Sequence, residues 1–133
     1  MKAKERYQLL IDKLVEGIMH PTEGCNNYME EWDWYQGVAL FGLYHLYRDM
    51  KKQEILDYLL SWFRDHMKEG LPKKNINTMC PMLTLTYLYE ETGDEAFWML
   101  CNEWLDYALQ ELPRTKEGGF QHITRDSDNT GQL

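Results

Sequence analysis

Apolar residues recur at three- and four-residue intervals along most of this chain, and two stretches carry them on nearly every side of a helix. Residues about 3–19 follow the simpler pattern, with Leu10, Leu14 and Ile18 on one stripe and Lys and Glu opposite. His20-Pro21-Thr22-Glu23-Gly24 ends that helix, since Pro cannot continue it cheaply. Residues 32–48 are different: Val38, Leu40, Phe41, Leu43, Tyr44, Leu46 and Tyr47 leave no clean polar face. Such a helix is expected to be surrounded by other helices. Its glycines, Gly37 and Gly42, each weaken the helix by about 1 kcal/mol relative to Ala, yet let neighbouring backbones approach. Trp32, Trp34 and Tyr35 stand at its start with Asp33 among them.

Downstream the pattern alternates. Residues about 53–69 form an amphipathic helix with Ile55, Leu56, Leu59, Trp62, Phe63 and Met67 on one side, and Asp57, Arg64, Asp65 and Lys68 outward. Gly70 and Pro72 stop it. Pro81 suits the first turn of a fourth helix, about 79–92, apolar almost all round through Met82, Leu83, Leu85, Tyr87, Leu88 and Tyr89. Gly93 terminates it, and Asp94 is a good N-cap for the fifth. That helix, about 95–112, is expected to turn Phe97, Leu100, Cys101, Trp104, Leu105, Ala108 and Leu112 inward. No strand pattern is present, which predicts an all-α fold.

A repeat underlies the alternation. Trp62 and Trp104 are 42 residues apart, and the same offset pairs Leu43 with Leu85, Leu46 with Leu88, Tyr47 with Tyr89, Ile55 with Phe97 and Phe63 with Leu105. Each unit is a helix buried all round followed by an amphipathic one, joined as a hairpin. Open solenoids usually have two amphipathic helices per unit. Buried and half-buried helices in alternation suit two concentric layers, as in an α/α toroid. A plain helical-repeat scaffold that binds another protein on its concave face is the alternative.

Composition narrows the function. A chain of 133 residues with 44% hydrophobic and 14% aromatic residues can bury a real core in one domain. A net charge of −8 disfavours nucleic acid and anionic membrane as partners, but not a small anionic substrate met by a few local donors. Cys25, Cys80 and Cys101 are odd in number and lack metal spacing; Cys80 and Cys101 read as reduced core residues. The start MKAKERYQLLIDK, with charges through its apolar positions, does not read as a signal peptide, and no apolar run is long enough to span a bilayer. A cytoplasmic setting is expected.

The segment from Pro113 to Leu133 has no helical period, although Phe120, His122 and Ile123 sit in it. It reads either as a disordered tail or as a connection to a third inner helix. On the second reading the chain is the first part of a longer toroid. Three stretches then carry a family resemblance: WDWYQGVALFGLYHLYR, LPKKNINTMCPMLTLTYLYEETGD and GGFQHITRDSDNTGQL. In this order and spacing, covering about Leu9 to Leu133, they resemble glycoside hydrolase family 105, the unsaturated rhamnogalacturonyl hydrolases, relatives of the family 88 unsaturated glucuronyl hydrolases.

The resemblance implies an (α/α)6 barrel, of which residues 1–133 would be the N-terminal portion with about the first five helices. It implies a substrate with a 4,5-unsaturated uronic acid at its non-reducing end, hydrated at the double bond so that the hemiketal opens and releases the next sugar. One Asp serves as acid and base, unlike the usual pair of carboxylates. The resemblance places that Asp after Leu133, so the chain alone should be inactive. It implies no cofactor and no metal. Asn77 stands at the family's second Asp position, where an amide can hold a hydroxyl but cannot transfer a proton. His122 matches a His that contacts the unsaturated sugar, and Trp34 and Tyr35 match an aromatic pair at the mouth of the first inner helix.

Each of these residues also has an ordinary reading. Trp34 and Tyr35 could be core, or they could stack on a pyranose face. Asn77 could be the N-cap of the fourth helix. His45 and His66 read as structural and His20 as exposed. Asp126, Asp128 and Asn129 lack the Gly and final Glu of an EF-hand loop. A marginal chain exposing barrel surface is expected to self-associate, whereas a scaffold should be stable and monodisperse.

Overall fold

The computed structural model describes residues 3–22 and 28–124. Five α-helices run in order: α1 (Ala3–Met19), α2 (Trp34–Met50), α3 (Gln53–Glu69), α4 (Cys80–Thr92) and α5 (Glu95–Gln110). Among the described residues there is no strand, only an isolated bridge between Arg114 and Phe120. The fold is all-α, as the periodicity predicts. No described helix is long and apolar enough to cross a membrane. Cys25, Asp126, Asp128, Asn129 and the end of the chain to Leu133 lie outside the described residues.

The chain divides into two compact units, Met1–Glu31 and Trp32–Leu133. In the first, α1 carries the expected stripe but buries none of it; Leu10 and Leu14 are exposed.

The second unit is two helical hairpins. Lys51, in a left-handed conformation, closes α2 and lets α3 begin two residues later, and left-handed Gly93 does the same between α4 and α5. Asp94 caps α5 as the sequence predicts, accepting from the Ala96 amide at 3.0 Å. Its carboxylate also takes a 2.9 Å bond from Arg64 of α3, which holds its pKa below the ordinary value. The two inner helices, α2 and α4, lie side by side and parallel. Gly37 meets Cys80 near both starts, the Tyr44 ring stacks on Tyr87 at 5.0 Å, and further on Tyr44 donates to Glu91 at 3.1 Å.

The core lies between the layers. Leu40 and Leu43 of α2, Ile55, Leu59 and Phe63 of α3, Leu85 and Leu88 of α4, and Phe97 and Trp104 of α5 are buried. Both members of the repeat pairs Trp62/Trp104, Leu43/Leu85 and Ile55/Phe97 fall inside. Two expectations need correction. First, α2 and α4 are not buried all round: Val38 is 60% exposed, Leu83 is exposed, and Phe41 is half-buried. Each inner helix has neighbours on only part of its circumference among the described residues. Second, Leu105 is 52% exposed although its repeat partner Phe63 is buried. Phe63 faces Phe97 of the next outer helix at 6.4 Å, while no described helix follows α5 to cover Leu105.

Two consequences can be measured. Thr84 is fully buried in α4, and its hydroxyl has no hydrogen-bond partner in the structure. Thr84→Val removes that unpaired group and should raise stability by about 1 kcal/mol in urea titration; a lower midpoint would mean the hydroxyl is held. Burial first, then its bond to Glu91, pushes the Tyr44 phenol from 10.0 up to about 12. The folded state therefore holds this proton more tightly than the unfolded chain. Its contribution is intact below pH 10.0 and is lost as pH rises toward about 12. Burial raises the Cys101 thiol as well, from 9.0 to about 11, so its contribution is lost over a lower range, as pH rises from 9.0 toward about 11. Tyr44→Phe should flatten the fall in thermal midpoint between pH 10.0 and about 12.

Candidate functional site

The first turn of α2 sorts the three aromatics at its start. Asp33 is extended at φ −149° and caps the helix: its side chain accepts from the first-turn amides, and the Gln36 side chain accepts from its own amide at 3.1 Å. Gln36 is buried, so its half of this reciprocal cap is partly shielded from water, while the Asp33 carboxylate bond lies at the surface. Trp32, before the cap, turns into the unit. It stacks on Trp62 at 5.2 Å, meets Phe63 edge-on at 5.5 Å and lies 6.0 Å from Trp104. Trp34 and Tyr35, after the cap, turn out. Their ring centroids are 3.9 Å apart, and they are 43% and 58% exposed. Among the described residues the pair is outside the core, and two aromatic rings tilted by 31° lie exposed at the start of α2.

The turn before α4 lies alongside. Trp32 Nε1–H donates to the Thr78 carbonyl at 2.7 Å, and a Cβ on Gly37 would come within 2.7 Å of the Cys80 backbone. Asn77 is therefore at the same end of the inner pair as Trp34 and Tyr35. It does not cap α4. The residue at that helix boundary is Met79, which makes no side-chain cap bond. Capping of the preceding turn falls to Asn75, whose Oδ1 accepts from the amides of Asn77 at 2.8 Å and Thr78 at 3.1 Å. Thr78 Oγ1 accepts in return from the Asn75 amide at 2.9 Å.

That division of labour frees the Asn77 side chain. Its amide oxygen lies 3.1 Å from His122 Nε2, and because a carbonyl oxygen only accepts, the imidazole donates. His122 is exposed, and Asn77 is half-buried. The segment that delivers His122 is a compact turn rather than a loose tail as far as Thr124. The Thr115 amide donates to Gly119 at 2.7 Å, Gln121 donates to the Pro113 carbonyl at 2.8 Å, and Arg114 lies over the Phe120 ring at 4.2 Å. The other histidines have surroundings of their own. The His45 ring packs edge-on to Phe41 at 4.4 Å, His66 is half-buried against Trp62 at 3.9 Å, and His20 is exposed. Among the described residues no group of three or more His, Cys, Asp and Glu is gathered as a metal would require. Burial raises the thiols of Cys80 and Cys101, so neither is an activated nucleophile.

Sequence reasoning named Asn77 and His122 separately and missed that they meet. It also missed Asn75, Thr78 and the inward turn of Trp32. The Asn75-x-x-Thr78 spacing is that of a reciprocal cap and was the available signal.

Comparison with known proteins places the chain. Residues 10–132 match Glycosyl Hydrolase Family 88. The chain belongs to that family. The unsaturated rhamnogalacturonyl hydrolase YesR of Bacillus subtilis (strain 168) is 34% identical over 91 residues, 68% of this chain and 26% of the relative. Two solved structures, each described as a possible member of the GH105 family, are similar in fold. The one from Klebsiella pneumoniae subsp. pneumoniae MGH 78578 has a TM-score of 0.80 and 32% identity, covering 93% of this chain and 36% of its own. The one from Salmonella enterica subsp. enterica serovar Paratyphi A str. ATCC 9150 has a TM-score of 0.82 and 33% identity, with the same coverages. The resemblance read from the sequence is borne out, and the helical hairpins are those of the (α/α)6 barrel type. The chain spans about a third of the length of those structures and about a quarter of YesR.

Proposed function

We propose that residues 1–133 are the N-terminal portion of an (α/α)6-barrel enzyme that hydrates the 4,5-double bond of an unsaturated uronic acid at the end of a pectin-derived oligosaccharide. The family and the name of the YesR relative support the reaction class. The observation that carries the site is the His122–Asn77 hydrogen bond, which joins residues 45 apart at the end of the inner helices where Trp34 and Tyr35 are exposed.

The chemistry assigned to each residue follows from what it can do. Trp34 and Tyr35 offer faces for the apolar side of a pyranose. Asn77 and His122, already bonded to each other, hold sugar hydroxyls with their remaining donors: the Asn77 amide N–H groups and, when protonated, the second imidazole nitrogen. Neither step of proton transfer falls to Asn77, because an amide does not titrate. In the reaction a proton is added to the alkene carbon C4 and a water oxygen to C5. The hemiketal so formed opens and expels the neighbouring sugar. The carboxylate that moves these protons is the Asp that the family resemblance places after Leu133.

The present chain should therefore bind an unsaturated disaccharide without consuming it. Titration followed by NMR should shift the Trp34 indole and His122 ring signals, with alkene absorbance unchanged. Trp34→Ala should weaken binding by about tenfold, the equivalent of roughly 1.4 kcal/mol. Turnover by residues 1–133, or shifts that avoid both Trp34 and His122, would overturn the assignment.

A further inference from the structure

The Asn77–His122 bond joins two of the residues assigned to the sugar across 45 positions, and what fixes it is not the helix that follows. Helix α4 starts at Cys80 with no side-chain cap, three residues after Asn77. Asn77 lies instead in a separate turn, 76–79, closed by the Met79 amide donating to the Asn75 carbonyl at 3.2 Å and the Cys80 amide to the Asn77 carbonyl at 3.0 Å. A lone turn of this kind is weak by itself, since its first amides have no intrahelical acceptor.

Here those amides are met from one side chain. Asn75 Oδ1 takes both the Asn77 and the Thr78 N–H, at 2.8 and 3.1 Å. Thr78 completes the arrangement. Its hydroxyl accepts from the Asn75 amide and lies 3.1 Å from the Lys73 carbonyl, so the Thr78 side chain is tied at both ends of the approach. Thr78 is buried, and its carbonyl receives Trp32 Nε1–H at 2.7 Å, which anchors the turn to the aromatic core. The path from core to site is thus continuous: Trp32 to Thr78, Thr78 to Asn75, Asn75 to the backbone of Asn77, and the Asn77 side chain to His122.

We propose that Asn75 is a positioning residue for the sugar-binding pair, holding the Asn77 backbone so that its side chain meets His122. This rests on the reading of Asn77 and His122 as sugar-binding residues. Asn75 acts through the backbone amides that its side chain accepts from, those of Asn77 and Thr78, and not through a bond to His122. An Asp at 75 would do the same work, because a carboxylate oxygen caps as well as an amide oxygen. A Gly would not, though Gly itself is tolerated at a cap with little loss of stability.

The test compares this chain with Asn75→Gly and Asn75→Asp by NMR. In the parent chain, cross-relaxation is expected between the His122 ring protons and the Asn77 side chain, and the Asn77 and Thr78 amides should exchange slowly. Asn75→Gly should lose the His122–Asn77 cross-peak and speed both amides, while the Trp32 indole signal and thermal midpoint stay near the parent values. Asn75→Asp should restore the cross-peak. Retention of the cross-peak in Asn75→Gly would overturn the proposal, as would its absence in Asn75→Asp. Addition of an unsaturated disaccharide separates the two readings. If the cross-peak behaves as expected but no sugar shifts His122 in any form, the positioning role stands and the sugar-binding role of the pair falls.

Discussion

Trp32→Ala should destabilise the chain by about 3–5 kcal/mol, the range for truncating a large buried aromatic. Trp32 has almost no exposure and contributes to the core on two counts. Its ring stacks on Trp62 and meets Phe63, Trp104 and His66, contacts that tie α3 and α5 to the segment before α2. Its Nε1–H also satisfies the carbonyl of buried Thr78. Trp32→Phe separates the two. It keeps most of the stacking but leaves that carbonyl without its donor, at a cost of about 1–3 kcal/mol. A double-mutant cycle of Trp32 with Trp62 should give a coupling of about 0.5–1.5 kcal/mol. Urea unfolding of the single and double variants would measure all three, and additive losses would deny the stack any energy of its own.

Gly37→Ala should destabilise by about 1–3 kcal/mol, the usual range for overpacking, even though Ala is the better helix former. A Cβ at 37 would stand 2.6 Å from Cys80 Sγ, 2.7 Å from the Cys80 carbonyl carbon and 2.8 Å from its Cβ. The first of these could swing away. The backbone carbon cannot, so α2 and α4 must separate at their starts. For the same reason Cys80→Ala should fail to rescue Gly37→Ala. The internal control is Gly42→Ala, on the same helix with nothing within 4 Å of the added methyl, which should stabilise by about 0.5–1 kcal/mol. Opposite signs for two Gly→Ala changes five residues apart would locate the close contact. Equal signs would mean that α2 and α4 do not touch there.

The helices themselves were legible because their signals are local. The stops at Gly70 and Gly93 and the cap at Asp94 depend on residues within one turn of each boundary. The repeat was legible because the structural unit recurs every 42 residues, and both tryptophans of the pair Trp62/Trp104 point inward. Periodicity overreached where it stood in for neighbours. Val38 and Leu105 are apolar in a helical pattern and yet exposed, since burial depends on which helices are present to cover a face.

The candidate site was half legible. Asn77 and His122 stand out in the sequence, but α4 takes no side-chain cap from Asn77, and it is Asn75 that caps the turn before it. Trp32, Trp34 and Tyr35 look alike in sequence, three large aromatics around one Asp. The cap geometry at Asp33 divides them, sending the first into the core and leaving the other two outside.

The sequence by itself determined the helical class, the alternation of inner and outer helices, and the family, because caps, stops and motif spacings are written in short stretches. Tertiary structure alone decided that His122 meets Asn77 across 45 residues, and that Gly37 lies against Cys80. Those pairings depend on the parallel packing of α2 against α4 and on how the 113–124 turn folds back, neither of which leaves a local trace in the chain.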